Sequence, residues 1–184
     1  MEISQKSDED LIKEIRNGNI DLYSEIMRRY KNPLLSYIRR LSFNSPEAED
    51  ILQEVYIKVY RNLFGFDLKK KFSSWVYRIT HNETINYMKK HSKPKINLDE
   101  FSEDFFVDGD NLEKKIDDKF LQKEMEKYLK LIKLKYREIL ILYYFEQKSY
   151  EEISEILRMP KNTVGTYIHR AKKNLIKEIE NIKK

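Results

Sequence analysis

Cysteine is absent from this chain of 184 residues. Disulfides and thiolate metal sites are therefore excluded, and the composition fits a reducing compartment. Glycine and proline are scarce, at four residues each, and there is one tryptophan. The glycines form no phosphate-cradling loop. The three histidines, His81, His91 and His169, are scattered without metal-ligand spacing. Acidic pairs are common, but 31 Asp and Glu residues produce pairs by chance. A hydrolase or nuclease is poorly supported on these counts. The longest apolar run, residues 139–145, is far below the roughly 20 residues a membrane-spanning helix needs. The opening MEISQKSDED is polar and acidic and reads as no signal peptide. These absences predict a cytoplasmic, non-enzymatic protein with no cofactor, no metal site and no direct membrane insertion.

Charge is what the chain has in quantity. Charged residues make up 36% and hydrophobic ones 40%, so the cores are small and much of the surface is ionic. Net charge is +5, which suits a polyanionic partner without demanding one. The distribution is more telling. Residues 161–184 hold Lys161, Arg170, Lys172, Lys173, Lys177, Lys183 and Lys184 against only Glu178 and Glu180.

Apolar residues recur with helical period through most of the chain. Residues 8–16 predict a short helix closed by Asn17-Gly18, and 21–41 a longer one that Pro33 should kink or shift. Ser45-Pro46-Glu47 reads as a helix start, followed by Ile51, Val55, Val59 and Leu63 at i+4 steps. Residues 66–71 read as a loop. Ser73 is placed to cap a further helix to about Lys90, with Phe72, Trp75, Val76 and Ile79 on its buried side. Composition then shifts. Residues 92–111 are rich in acids and read as a flexible linker; its Phe101, Phe105 and Phe106 either anchor a partner or tuck against a neighbouring domain. Helices over 112–131 and 133–145 follow. No strand pattern occurs, so the predicted fold is all-α, with two small helical domains joined by a flexible acidic linker.

The stretch KSYEEISEILRMPKNTVGTYIHRAKKNL, residues 148–175, is the most specific. Ser149 and Glu152 have the spacing of a capping box. Pro160 ends the helix, and a second helix starts near Lys161. At about 100° per residue, Val164, Ile168, Ala171 and Leu175 gather on one side. Asn162, Thr163, Thr166, His169, Arg170 and Lys173 gather on the other. Such a helix packs one face on a core and lays the other in a major groove. There Asn pairs with adenine, Arg with guanine, and the Thr methyl meets the thymine methyl. Gly165 interrupts the pattern at a cost of about 1 kcal/mol relative to alanine.

Two segments taken together, EAEDILQEVYIKVYRNL with FSSWVYRITHNETINYMKK, and the closing helix-turn-helix, resemble the bacterial sigma-70 family, in particular its extracytoplasmic-function (ECF) group. The resemblance covers nearly the whole chain in order. It implies sigma region 2 over 1–91, a linker over 92–111 and sigma region 4 over 112–184. It implies a promoter-specificity subunit that binds core RNA polymerase and directs transcription initiation at minus-10 and minus-35 elements. Asp50, Gln53 and Glu54 match the stripe that grips the polymerase clamp. The loop 66–72 matches the one that holds a flipped base of the melted non-template strand, although Lys69, Lys70 and Lys71 stand where small or acidic residues are common. On the next helix, Tyr77, Arg78, Asn82, Asn86, Lys89 and Lys90 lie off the apolar face and match minus-10 contacts; Asn86 replaces a usual Asp. Thr166, His169 and Arg170 match the minus-35 readers, and Gly165 replaces a usual Lys or Arg. The resemblance also implies an anti-sigma partner. The alternative is a free-standing helix-turn-helix regulator that reads duplex DNA without joining polymerase.

Overall fold

The structure, a computed structural model, describes residues 3–43, 45–91 and 127–182, and these contain helices and no strand. Helix α1 spans Asp8–Arg16, and α2 spans Tyr23–Ser42. Helix α3 spans Ala48–Asn62, and α4 spans Phe72–His91. After residue 127 come α5, Leu134–Leu140, a π-helical turn, Ile141–Phe145, then α6, Tyr150–Leu157, and α7, Lys161–Ile182. The sequence signals explain most of these limits. Ser7 caps α1 by accepting from the Asp10 N–H at 3.1 Å, and Asp8, Glu9 and Asp10 occupy the first turn, where the helix dipole favours anions.

Three local expectations change. Helix α2 runs through Pro33 without interruption, and that residue lies exposed. Ser45 does not cap α3, because its hydroxyl bonds the Glu47 carboxylate and the helix begins at Ala48. Ser73 does not cap α4. The helix starts one residue earlier, where the Phe72 N–H donates to the Glu9 carboxylate of α1 at 3.0 Å. A partner distant in sequence thus replaces the local cap. The expected helix over 112–131 and the linker over 92–111 lie outside the described residues, except that Leu129–Leu131 forms a 3-10 turn.

Helices α2, α3 and α4 bury Ile26, Leu34, Ile38, Val55, Val59 and Phe72 between them, each at most 1% exposed. Complete burial of such a side chain contributes about 1.5–3 kcal/mol. Phe72 packs edge-on to Tyr30 and Phe66 with ring centroids 5.5 Å apart, and Trp75 lies 5.0 Å from Phe66. The C-terminal helices build a second centre on Ile139, Leu142, Ile153, Val164, Ile168, Ala171 and Leu175. The two centres are continuous, because α6 lies on α4 and the π-helical turn lies on α2. The wide turn presents Phe145 and Glu146 to α2 and α4, where a single regular helix over 133–145 was expected.

Candidate nucleic-acid interface

Helices α6 and α7 form the helix-turn-helix that the spacing predicts. The Ser149 hydroxyl accepts from the Glu152 N–H at 3.3 Å, while the Glu152 carboxylate accepts from the Ser149 N–H at 2.9 Å. Both ends of the capping box are therefore closed. Arg158 ends α6 in the left-handed region at φ 54°. Met159, which the periodicity reading passed over, turns inward and is buried, and its carbonyl accepts from the Ser154 hydroxyl at 2.6 Å. Along α7, Val164, Ile168, Ala171 and Leu175 are buried. Asn162, Thr166, His169 and Lys173 are exposed, and Thr163 and Arg170 are half-buried. Gly165 has a packing reason: a Cβ there would meet the Tyr150 ring at 3.3 Å. A longer side chain must first displace that ring.

On α3, Asp50, Gln53 and Glu54 stand exposed together. Beside them Tyr23 and Met27 of α2 and Tyr56, Ile57 and Tyr60 of α3 line an apolar groove of about 390 Å³, with Gln53 and Arg61 at its rim. Ile57 and Tyr60 are 43% and 38% exposed, which is unusual for such residues placed side by side. The sequence reading kept only the polar stripe, because apolar residues at helical spacing read as core.

The loop before α4 is held at its ends. Arg16 Nη2 donates to the Leu63 carbonyl at 2.7 Å and also to the Phe66 carbonyl. Phe66 is buried, whereas Lys69, Lys70 and Lys71 are exposed. On α4, Asn82, Asn86, Lys89 and Lys90 are exposed and Arg78 is half-buried. Trp75 is also half-buried, wedged between Phe66 and Phe72.

Tyr77 departs from expectation. Sequence periodicity placed it off the apolar face, yet it is 3% exposed, and its hydroxyl donates to Glu146 at 2.6 Å. The cause is tertiary: α4 is covered on a second side by the C-terminal helices. Lys148 Nζ donates to the Ser73 hydroxyl at 2.9 Å and lies 4.1 Å from the Tyr77 ring centroid. Lys71 approaches Glu152 at 3.7 Å. Further along the seam, His81 Nε2 is 3.7 Å from the Glu138 carboxylate, and His81 Nδ1 is hydrogen-bonded to the Tyr37 hydroxyl at 2.9 Å. Burial pushes the Glu138 carboxyl up to about 7 and the His81 imidazole down to about 4, so each favours its neutral form. Burial also raises the Glu146 carboxyl above its usual range and lowers Arg137 to about 10.

Comparison with known proteins places these features in one family. Residues 26–93 match Sigma-70 region 2, and residues 123–175 match Sigma-70, region 4. The chain is 35% identical to the ECF RNA polymerase sigma factor SigW of Bacillus subtilis over 182 residues, covering 93% of this chain and 96% of the relative. It is 26% identical to the ECF RNA polymerase sigma-E factor of Escherichia coli K12, covering 96% of each. Its fold is similar to that of CnrH in complex with the cytosolic domain of CnrY, with a TM-score of 0.71, 16% identity, and coverage of 96% of this chain and 99% of that one. It is similar also to the sigma factor RpoE of Bartonella quintana in complex with the anti-sigma factor NepR, with a TM-score of 0.63, 20% identity, and coverage of 86% and 96%. Among the described residues no helix is long and apolar enough to cross a membrane.

Proposed function

Because the chain belongs to the ECF RNA polymerase sigma factors, we propose that it is a promoter-specificity subunit that joins core RNA polymerase and directs transcription initiation at minus-10 and minus-35 elements. The supporting geometry is the polar face of α7. Its buried stripe holds the helix on a core while Asn162, Thr166, His169 and Lys173 remain free to meet a groove.

The work divides between two domains. Residues 112–184 read the minus-35 duplex. Thr166, His169 and Arg170 face base edges, and Lys173 with Asn162 and Thr163 holds the flanking backbone. Residues 1–91 dock on polymerase and take the minus-10 element. The Asp50, Gln53 and Glu54 stripe sets the register against a basic helix pair, and the neighbouring groove adds apolar area. Lys69, Lys70 and Lys71 draw the melted non-template strand by charge. Arg78, Asn82, Asn86, Lys89 and Lys90 line its path along α4, with Tyr77 once it is uncovered. No bond is made or broken by this chain, and no cofactor takes part. Contact with the splayed strand offsets an unstacking cost of a few kcal/mol per base. The setting is the cytoplasm, where polymerase works, and an anti-sigma protein is the further partner.

A free-standing regulator leaves the α3 stripe and the loop before α4 without a task, and similarity across both halves of the chain favours the polymerase subunit. The test is co-purification with core polymerase, then run-off transcription on a pool of random promoters. Discrete transcripts that depend on this chain are expected. A chain that ignores core enzyme yet represses or activates genes alone overturns the reading.

A further inference from the structure

Helix α1 carries no residue assigned to polymerase or DNA, yet it touches both ends of the loop that precedes α4. Glu9 and Arg16 stand seven residues apart, which puts them on one face, about 10 Å apart along the axis. The Arg16 guanidinium donates from Nε and Nη2 to the Leu63 carbonyl, at 3.2 and 2.7 Å, and from Nη2 to the Phe66 carbonyl. It thereby satisfies carbonyls exposed where α3 and its closing 3-10 turn, Leu63–Gly65, come to an end. At the other end, the Glu9 carboxylate accepts from the Phe72 N–H, the first of α4. The helix dipole favours both choices, a cation at a C-terminus and an anion at an N-terminus.

The helix that makes these two ties is itself fixed. Leu11, Ile12 and Ile15 are fully buried. Asp8 accepts from Arg29 Nη1 at 2.9 Å and from the Tyr30 hydroxyl at 2.5 Å, which joins α1 to α2. The chain from Phe66 to Phe72 could reach roughly 20 Å if extended. Tied to α1, it folds into a turn instead. The Lys70 N–H donates to the Asp67 carbonyl and the Lys69 N–H to the Asp67 carboxylate, both at 3.0 Å. Leu68 packs on the core, while Lys69, Lys70 and Lys71 are exposed. The three cations are thus presented by a loop whose shape exists before any strand arrives. A loop already ordered loses little conformational entropy on binding, and binds more tightly for that reason.

We propose that Arg16 and Glu9 are positioning residues for strand capture: from one face of α1 they tie the C-terminal end of α3 and the N-terminal end of α4, and so hold the loop of Lys69, Lys70 and Lys71 in its binding shape. The inference rests on the minus-10 reading of that loop. Neither side chain touches DNA; each acts through the backbone it holds.

The test uses the full chain assembled with core polymerase. Three affinities are measured: for core enzyme, for a duplex minus-35 fragment, and for a promoter fragment whose minus-10 non-template strand is single-stranded. Amide hydrogen exchange over residues 66–72 is followed in the free chain. Arg16→Met and Glu9→Ala keep wild-type affinity for core enzyme and for the duplex, speed up exchange in the loop, and lose about tenfold on the single-stranded fragment. Glu9→Gln, whose amide oxygen still accepts the Phe72 N–H, stays close to wild type, and Arg16→Lys, which reaches fewer carbonyls, falls between. That graded rescue is not expected of general damage to the fold. Wild-type affinity for the single-stranded fragment in both Arg16→Met and Glu9→Ala overturns the proposal, as does an equal loss toward core enzyme. A chain with Lys69→Ala, Lys70→Ala and Lys71→Ala separates the two readings. If it binds the single-stranded fragment as wild type does, the minus-10 role of the loop fails and the positioning with it. If it loses affinity while the α1 variants do not, the positioning alone fails.

Discussion

Helices α4 and α7 are both assigned to DNA, yet they are built differently. Helix α7 segregates its residues: one buried stripe, one polar face, and its supports α5 and α6 only a few turns away in sequence. Helix α4 buries Phe72, Ser74, Val76, Tyr77, Thr80 and Thr84, which point to more than one side. Its neighbours are α2 and α3 on one flank and α6, far along the chain, on another. A helix buried along one flank advertises its free face in its sequence. A helix buried along two flanks does not, because the residues of the second contact are polar and resemble surface.

The largest expected effect concerns the structural side of α4. Phe72→Ala empties a fully buried site within the cluster of Tyr30, Phe66 and Trp75. It should cost about 3–5 kcal/mol, read by urea unfolding. A loss below about 1 kcal/mol would mean that α4 is not the packed element described. Next is the reading side of α7. Arg170→Ala should weaken promoter binding by roughly 1–3 kcal/mol in a base-dependent way, whereas Lys173→Ala should weaken all sequences alike. Competition among single-base promoter variants separates the two, and an Arg170→Ala chain that discriminates as well as wild type removes its base-reading role.

Smaller is the response of the seam to pH. Burial on folding raises the Glu138 carboxyl from 4.5 to about 7. The folded state therefore holds that proton more tightly, and its advantage, full below about 4.5, is lost as pH rises through about 7. His81 acts in the opposite sense, since burial lowers it from 6.5 to about 4 and its contribution is lost as pH falls through about 6.5. The charged and titratable groups around this pair are Tyr37 and Arg40 on α2, Tyr77 on α4, and Arg137, Glu146 and Lys148 from the C-terminal domain. Between about pH 8 and pH 6.5 a roughly fourfold gain from Glu138 outweighs a roughly twofold loss from His81, so acidification should raise the folding constant by about twofold, roughly 0.4 kcal/mol, measured by urea unfolding at the two pH values. A stability that falls over that interval would reverse the assignment. The smallest effect returns to α7. Gly165→Ala gains up to about 1 kcal/mol of helix propensity against a Cβ contact of 3.3 Å with the edge of the Tyr150 ring. That ring is 37% exposed and can yield, so a net stabilisation of a few tenths of a kcal/mol is expected in thermal unfolding. A destabilised variant would show the ring to be fixed.

The sequence was a good guide wherever the governing partner was near. The limits of α1, the capping box of Ser149 and Glu152, the start of α7 at Lys161 and its buried stripe all depend on residues within a turn or two. It misled where the partner was remote. Ser73 looked like a cap, but Glu9 takes the N–H of Phe72, and Ser73 serves Lys148 instead. Tyr77 looked outward by period, but Glu146 lies above it. The groove of Met27, Ile57 and Tyr60 was invisible for the converse reason: apolar spacing signals burial, and only the absence of a covering element leaves it open.

Sequence alone determined the helical class, the helix-turn-helix and the polar character of its outer face, because caps, breaks and period are short-range physics carried by adjacent side chains. The tertiary arrangement decided which flank of α4 is free, what a side chain at position 165 would meet, and that Glu138 and His81 are both pushed toward their neutral forms. Those properties depend on desolvation and close approach between segments far apart along the chain, and no local pattern records which segments will meet.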